Sequence, residues 1–335
     1  MFERWYKDAI VYCLDVETYA DSDGDGVGDF AGLTGRLSHI AGLGFNCIWL
    51  LPFFASPNRD NGYDISDYYS VDERYGTLGN FVELINKAHE RGIRVIIDLV
   101  INHTSIDHPW FQRARSSPDS PYREFYIWAK EKPADAHQGM IFPGEQGATW
   151  TYDRQAKAYY YHRFFEHQPD LNIANPHVQR EIAKIMGFWL QLGVDGFRID
   201  AAPFVIELRD VNTQTVIDPY EHISNLHALL AWRSRGAVLL AEANVDPDQL
   251  PHFFGDGDRM HMLFNFILNQ HTYLAFARGD AEPITRALRM LPPKPEGCQW
   301  AVFLRNHDEL ALERLSEREE VAETFGFTEE MWLYN

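Results

Sequence analysis

Three carboxylates, Asp200, Glu242 and Asp308, each stand at the end of an apolar, strand-like run: GFRID, LLAE and FLRNHD. Cleavage of a glycosidic bond with retention needs a nucleophilic carboxylate and a protonated acid about 5–5.5 Å apart. Asp200 and Glu242 would end neighbouring strands of a parallel barrel, where they can face each other. His307 and Asp308 end a later strand and would hold sugar hydroxyls.

The flanking residues indicate how the two carboxylates would differ. Arg198 lies two residues before Asp200, and strand side chains alternate, so both point to the same side. A cation beside Asp200 would keep it ionised, as a nucleophile requires. Glu242 lies between two alanines, an apolar setting that would raise its pKa toward the acid role. Taken singly, each residue is equally well explained as a surface carboxylate or a barrel-mouth ion pair.

The elements around these residues predict an α/β fold, a (β/α)₈ TIM barrel. Strands buried on both faces read as continuous apolar runs, and catalytic residues collect at their C-terminal ends. Seven such runs occur, at 9–19, 47–53, 94–101, 196–200, 238–243, 262–266 and 299–305. Helical patterns alternate with them at 33–43, 78–91 and 178–189. No eighth strand can be identified before Asn335, so we expect a barrel truncated after the seventh.

The alternation of strands and helices breaks between residues 103 and 168, a stretch rich in Trp and Tyr. A structureless loop of that length would be unusual in a compact domain. We therefore predict a first barrel part at 1–103, an inserted subdomain at 104–168 and a second barrel part at 169–335. The aromatic residues of the subdomain would form its local core or stack on sugars.

Composition narrows the class of partner. With 30 Lys+Arg against 49 Asp+Glu, the net charge is −19. Such a surface disfavours nucleic acid and anionic membranes and suits a neutral substrate or a bound cation. The N-terminus MFERWYKDAI has no apolar leader region, and the sequence has no uninterrupted run of about 18 apolar residues. We therefore expect a cytoplasmic protein with no membrane span; its oligomeric state stays open. Three cysteines, Cys13, Cys47 and Cys298, lie in or beside apolar runs and are expected to be reduced.

The segments DLVINH, GFRIDA, LLAEAN and FLRNHDE, with QPDLN at 168–172, resemble the alpha-amylase family of glycoside hydrolases and transglycosylases. The resemblance extends over essentially the whole chain. It implies Asp200 as nucleophile, Glu242 as acid/base and Asp308 as transition-state stabiliser. It also implies five contacts to the sugar at the cleavage point: Asp64, His103, Gln168, Arg198 and His307.

Further stretches, among them FYIWAK, YYYHRFFEHQPDLN and FFGDGDRMHM, resemble family members that interconvert maltose and trehalose through a covalent glucosyl-enzyme. The first strand departs from the family's pattern through Asp15 and Glu17, which leaves the choice of donor and acceptor open. A hydrolase of the α-glucosidase or α-amylase type would use the same residues with better access for water. A non-catalytic fragment is the third reading, because neither an eighth strand nor the family's C-terminal β-sandwich is found.

A metal loop is predicted at DSDGDGVGD, where oxygens recur at alternate positions as in a calcium loop. The ligands would be Asp21, Asp23, Asp25, Val27 and Asp29. An EF-hand would place Glu at position twelve, where this chain has Gly32, so the loop is half an EF-hand for Ca²⁺ or Mg²⁺. A solvated acidic turn is the alternative. The family resemblance implies a second Ca²⁺ that ties the subdomain to the barrel through Asn102, Asp170 and Glu207.

Overall fold

Seven parallel strands form the centre of the fold in a computed structural model that describes residues 4–142, 144–207, 218–234, 236–308 and 310–328. The strands, β1 to β7 in chain order, pair with their sequence neighbours in one curled sheet. They are Val11–Leu14, Cys47–Leu50, Arg94–Leu99, Gly196–Ile199, Val238–Ala241, Met262–Phe264 and Gln299–Ala301. The predicted barrel class and its seven strands are confirmed.

Helices follow most of the strands and cover the outside of the sheet. The α-helices are Val16–Tyr19, Phe30–Gly42, Leu78–His89, Pro109–Ser116, Pro176–Gln191, Ala202–Val205, Glu221–Arg233, Leu250–Phe254, Phe266–Arg278, Glu282–Met290 and Arg318–Phe325. Single 3₁₀ turns lie at Trp5–Lys7, Glu73–Tyr75 and Arg123–Phe125. Side chains fix several helix starts: Asp29 caps the helix at Phe30, and Thr77 and Asn80 form a capping box. Each cap satisfies backbone N–H groups that the first helical turn leaves unpaired.

Alternation along each strand separates two apolar layers. Residues such as Ile48, Val95 and Ile97 point outward and pack against the helices. Trp49 and Leu240 point inward and fill the barrel. The same alternation carries polar residues into the barrel at the strand ends, because positions i and i+2 share a face. Asp98 follows Ile96, Asp200 follows Arg198 and Glu242 follows Leu240 on the inner face.

The segment between β3 and β4 has its own small antiparallel sheet of Trp128–Ala129, Trp150–Asp153 and Ala158–Tyr161. Trp150 and Tyr161 pack in a separate apolar cluster with Ile127 and Ala136. Other aromatic residues of the segment, Phe111, Phe125, Tyr126 and Tyr160, are buried in the main core instead. A second antiparallel pair, Phe54–Ala55 with Asp67–Val71, supports the loop at 56–64. The boundaries of the subdomain stay a prediction.

The strands end earlier than the apolar runs predicted, because polar residues at their ends turn the chain. The run at 9–19 is strand only to Leu14; the Asp15 side chain then accepts the Glu17 N–H at 2.9 Å and caps a helix. The run at 262–266 ends at Phe264, and Asn265 caps the next helix. All three cysteines are free thiols. In the described part of the chain, no helix is long and apolar enough to cross a membrane.

Candidate active site

Arg198 is the centre of a buried network at the C-terminal ends of the strands. Its side chain is 1% exposed. One guanidinium nitrogen, Nη1, donates to Asp98 at 2.5 Å and to Asp200 at 2.6 Å. The other, Nη2, donates to Glu242 at 2.8 Å and lies 3.8 Å from Asp308. A single cation thus faces four carboxylates, which is the condition for burying them together.

Asp98, the first residue of the DLVINH segment, belongs to this network, although no role at the site was predicted for it. It accepts hydrogen bonds from Trp49 Nε1 at 2.9 Å and Tyr63 Oη at 3.3 Å, in addition to Arg198. The Arg198 guanidinium also lies over the Trp49 ring at 5.1 Å. Asp98 and Trp49 therefore hold Arg198 in place from the barrel interior. The inward position of Asp98 in the apolar run VIIDLV was the signal that could have identified it.

The predicted nucleophile and acid share the Arg198 guanidinium. Asp200 binds it through Oδ1, and Glu242 binds it through Oε2. The Ala201 N–H also donates to Glu242 Oε2, at 3.0 Å. Ala201 has φ +48°, an uncommon left-handed backbone that aims this N–H across to β5. The arrangement is compatible with the short carboxyl separation of retaining enzymes.

Burial dominates the electrostatics of the acidic pair. It raises the pKa of Glu242, and it raises the pKa of Asp200 well above the usual value; Arg198 opposes both shifts. Negative neighbours add to the rise at Asp200. We expected the cation to keep Asp200 ionised; it acts in that direction, but burial and the other carboxylates outweigh it. The carboxylates interact closely, so they titrate as a group.

The structure also brings His307 and Asp308 to this centre. His307 Nε2 lies 2.6 Å from Tyr63 Oη and 3.0 Å from Asp308 Oδ1. The His307 and Tyr63 rings stack with centroids 5.7 Å apart. Burial raises the pKa of Asp308, but its bond to His307 and the charges of Arg198 and Arg305 lower it further, so the net shift is downward. Asp308 thus stays the most readily ionised member of the group.

A cavity of about 1210 Å³ opens above this network. His103, Arg198, Asp200, Glu242, His307 and Asp308 all line it, so the structure brings the predicted catalytic and most predicted sugar-binding residues together. His103 is 2% exposed, and burial lowers its pKa to about 3. Its Nε2 has no hydrogen-bond partner among the described residues. A neutral imidazole with a free nitrogen is suited to a sugar hydroxyl.

Asp64 and Gln168 do not line the cavity, although we expected both to contact sugar. Asp64 is 0% exposed, and its Oδ1 accepts from Ser56 Oγ and the N–H groups of Arg59 and Asp60. Gln168, also 0% exposed, donates to Asp60 Oδ2 at 2.6 Å. Both hold the loop at 56–64, whose own Asp60 faces the cavity.

Asp60, Asn61 and Tyr63 are the cavity residues of this loop that sequence reasoning missed. Burial raises the pKa of Asp60, despite its bond from Gln168. The sequence NRDNGYD contains two aspartates four residues apart. Only the fold shows that the first faces the cavity and the second the loop backbone. The positive φ of Asn61, +46°, marks the turn between them.

Part of the cavity wall is aromatic. Phe142 stacks on Phe165 with centroids 4.9 Å apart at 15°. Phe164 packs edge-on against His103 at 5.2 Å and against Phe204 at 5.7 Å. We call Phe142, Phe164, Phe165 and Phe204 the aromatic wall; all four line the cavity. Three of them come from the segment inserted after β3, which therefore covers the barrel mouth.

Residues beyond the predicted set also reach the cavity. Glu313 and Asn244 line it, and Asn244 Nδ2 donates to the Glu313 carboxylate. Asp15 lines it too, and burial raises the Asp15 pKa. Glu17, the other acid that departs from the family pattern, instead pairs with Arg74 at 3.0 Å.

The loop at 21–29 fits a hard divalent cation. Carboxylate oxygens of Asp21, Asp23 and Asp29 lie within 4.8 Å of one another. Gly26 has φ +94° at the sixth position of the loop, where calcium loops need glycine for a sharp turn. Asp25 and Val27 continue the loop through a 2.7 Å bond from the Val27 N–H to Asp25 Oδ1.

Backbone donors already organise this loop. The N–H groups of Gly24 and Gly26 lower the pKa of Asp21. At Asp29, burial acts upward, but N–H bonds from Gly32 and Ser22 bring the pKa below its usual value. The loop therefore presents ionised oxygens, which Ca²⁺ and Mg²⁺ both require. The cation itself stays a prediction.

Two of the three residues predicted for a second Ca²⁺, Asp170 and Glu207, meet at Arg163. Its guanidinium pairs with Glu207, and its backbone N–H donates to Asp170 Oδ1 at 2.8 Å. Asn102 is buried beside His103, at 3.4 Å from its Nδ1. The oxygen donors suit calcium, but Glu207 shares its carboxylate with a cationic side chain. This site also stays a prediction.

The fold and the cluster of carboxylates at the strand ends are those of an amylase-type catalytic barrel. The family model described as "Alpha amylase, catalytic domain" matches residues 16–323. The chain therefore belongs to the alpha-amylase family. Trehalose synthase of Thermus thermophilus is 47% identical over 316 residues, 94% of this chain. Trehalose synthase/amylase TreS of Mycolicibacterium smegmatis is 44% identical over 320 residues, again 94% of this chain.

A solved alpha-amylase from H. orenii shares the fold, with a TM-score of 0.80 and 31% identity over 95% of this chain and 63% of that one. The chain spans only part of these relatives: 32% of the Thermus protein and 54% of the Mycolicibacterium protein. The family is thus shown, whereas the activity of the whole protein is a proposal.

Proposed function

We propose that this chain carries the catalytic centre of a retaining enzyme that interconverts maltose and trehalose. The observation that carries the proposal is the Arg198 network, which holds Asp200, Glu242 and Asp308 together at the floor of one cavity. Similarity to trehalose synthases over 94% of the chain supports the choice of substrate.

The first half of the reaction breaks the glycosidic bond of maltose. Asp200 attacks in its ionised form, which the Arg198 cation favours against the effect of burial. The attack on the anomeric carbon comes from Oδ2, because Oδ1 is engaged by Arg198. Glu242 transfers its proton to the departing glycosidic oxygen. Its Oε2 accepts from Arg198 and Ala201, so Oε1 is the oxygen that carries the proton. Asp308 stabilises the positive charge that develops on the sugar ring.

The second half reverses these roles. Glu242, now ionised, removes the proton from the 1-hydroxyl of the released glucose, which attacks the glucosyl-enzyme and frees Asp200. The product is trehalose, and atoms and charges balance because the proton returns to Glu242. A bound Ca²⁺ in the loop at 21–29 or at Asn102, Asp170 and Glu207 would neutralise carboxylates and stiffen the first loop and the cavity rim.

Incubation of the protein with maltose and chromatography of the products tests this proposal. We expect trehalose with some glucose as by-product. Glucose as the sole product would instead support the hydrolase. The Mycolicibacterium relative is named as an amylase as well as a trehalose synthase, and the H. orenii structure is named as an alpha-amylase. No turnover of any α-glucoside would favour a non-catalytic fragment.

A further inference from the structure

The aromatic wall is held by one buried side chain, Gln146. It is 8% exposed. Its Oε1 accepts from the Ile141 N–H at 2.7 Å and the Phe142 N–H at 2.8 Å. Its Nε2 donates to the Arg163 carbonyl at 3.0 Å and to the Phe164 carbonyl. The amide therefore ties two separate stretches of chain together and uses both of its ends.

These bonds act on the residues that shape the cavity. Ile141, Phe142 and Phe164 line it directly. The Phe142 ring stacks on that of Phe165, the residue that follows Phe164. Gln146 itself does not line the cavity. Among the described residues, Ile141, Phe142 and residues 144–146 lie outside every strand, and the N–H groups of Glu145 and Gln146 donate to the Phe142 carbonyl. The Gln146 side chain links this turn to Arg163 and Phe164.

We propose that Gln146 is a positioning residue that sets how the glucosyl-enzyme divides between sugar and water. The inference rests on the proposed function. Apolar ring faces confine a released glucose over the carboxylates and exclude water from them. Only a wall fixed in place can do so, because misplacement by about 1 Å can lower a rate roughly a hundredfold. Loss of the Gln146 bonds would let Phe142 move away and admit water.

The test compares Gln146→Met, which keeps the length of the side chain but removes its amide, with Gln138→Met, an exposed glutamine of the same segment. With maltose, the ratio of trehalose to glucose should fall roughly tenfold in Gln146→Met. Release of fluoride from α-glucosyl fluoride, which reports the first step, should stay within about twofold. Gln138→Met should match the parent on both measures.

Hydrogen exchange supplies a readout that does not depend on activity. The amides of Ile141 and Phe142 should exchange roughly tenfold faster in Gln146→Met. Gln146→Glu keeps an oxygen that accepts from both amides, so their exchange should stay slow. The product ratio should still fall in this variant, because the bonds to the Arg163 and Phe164 carbonyls are lost.

In Gln146→Met, an unchanged product ratio, or unchanged exchange at both amides, would overturn the role of Gln146. If Gln146→Met does not fold, the product ratio of Gln146→Glu decides in its place. A parent protein that produces no trehalose would instead refute the proposed function, and the transfer role of Gln146 with it.

Discussion

The carboxylates around Arg198 and those of the loop at 21–29 differ in what offsets their mutual repulsion. In the barrel, Asp200 and Glu242 are withdrawn from water and face a cation of the protein itself. In the loop, Asp21 and Asp23 are exposed, and backbone N–H groups are their partners. Burial demands a counter-charge built into the fold, whereas an exposed cluster can use solvent or a dissolved ion.

This difference appears in the direction of the pKa shifts. Burial raises the pKa of Asp200 and Glu242, while N–H bonds lower the pKa of Asp21 and Asp29. Raised carboxyl pKa values contribute stability below the unfolded pKa near 4, and this stability is lost as the pH rises. Lowered values contribute stability above that pKa, and it is lost as the pH falls through the folded pKa. The two clusters should therefore respond oppositely to pH.

The largest effect is expected from Arg198→Met, which leaves the buried carboxylates without their cation. We expect a loss of about 3–5 kcal/mol in the free energy of unfolding near neutral pH. Arg198 lowers the pKa of both Asp200 and Glu242. Without it both values rise further, so the deficit should widen as the pH increases from 4. Urea unfolding of parent and variant at several pH values measures it.

Arg36→Met is the matched control, because Arg36 is exposed on the helix Phe30–Gly42. Its effect should stay within about 0.5 kcal/mol. If Arg198→Met proves as stable as the control at every pH, the barrel carboxylates do not need a counter-charge and the contrast with the loop fails.

The second prediction separates the two carboxylates that share Arg198. Glu242→Gln should lower turnover of maltose by roughly 10²–10⁴-fold but leave attack on α-glucosyl fluoride, whose leaving group needs little protonation. Asp200→Asn should form no glucosyl-enzyme from either donor, because it lacks the attacking carboxylate. In the parent, kcat/KM for maltose should fall as the pH rises through the raised pKa of Glu242.

Intact-mass spectrometry of the trapped intermediate distinguishes the variants. The glucosyl adduct should accumulate in Glu242→Gln with the fluoride and be absent in Asp200→Asn. An adduct in Asp200→Asn, or equal fluoride release by both variants, would reverse the roles assigned to these residues.

Much of the barrel centre could be predicted from sequence because strands have a fixed period. Arg198 and Asp200 are two residues apart on one strand, so their side chains had to share a face. In the structure, Arg198 Nη1 lies 2.6 Å from Asp200 Oδ1. Neighbouring parallel strands likewise brought Glu242 to the same guanidinium. In both cases the backbone geometry alone restricts where the side chains point.

Loop residues could not be placed in this way. Asp60 and Asp64 lie in one turn. In the structure Asp60 lines the cavity, whereas the Asp64 carboxylate accepts hydrogen bonds from the loop backbone. Gln146 has no periodic context at all. Two of its partners, Ile141 and Phe142, lie five and four residues before it, and the other two, Arg163 and Phe164, lie 17 and 18 residues after it. No repeat in the sequence encodes such contacts, so only the folded chain shows them.

The smallest effect is expected at the exposed cluster. If the loop at 21–29 binds a divalent ion, chelation should lower the Tm by about 2–4 °C, and Ca²⁺ or Mg²⁺ should restore it. Asp23→Asn/Asp25→Asn should abolish this response. Asp248→Asn/Asp256→Asn, which removes two exposed carboxylates elsewhere, should retain it.

Because the ion requires ionised carboxylates, the response should also vanish as the pH falls through the lowered pKa values of Asp21 and Asp29. Scanning calorimetry with and without chelator measures all of these. Equal responses in the two double variants would show a solvated turn, in which N–H groups and water alone offset the repulsion.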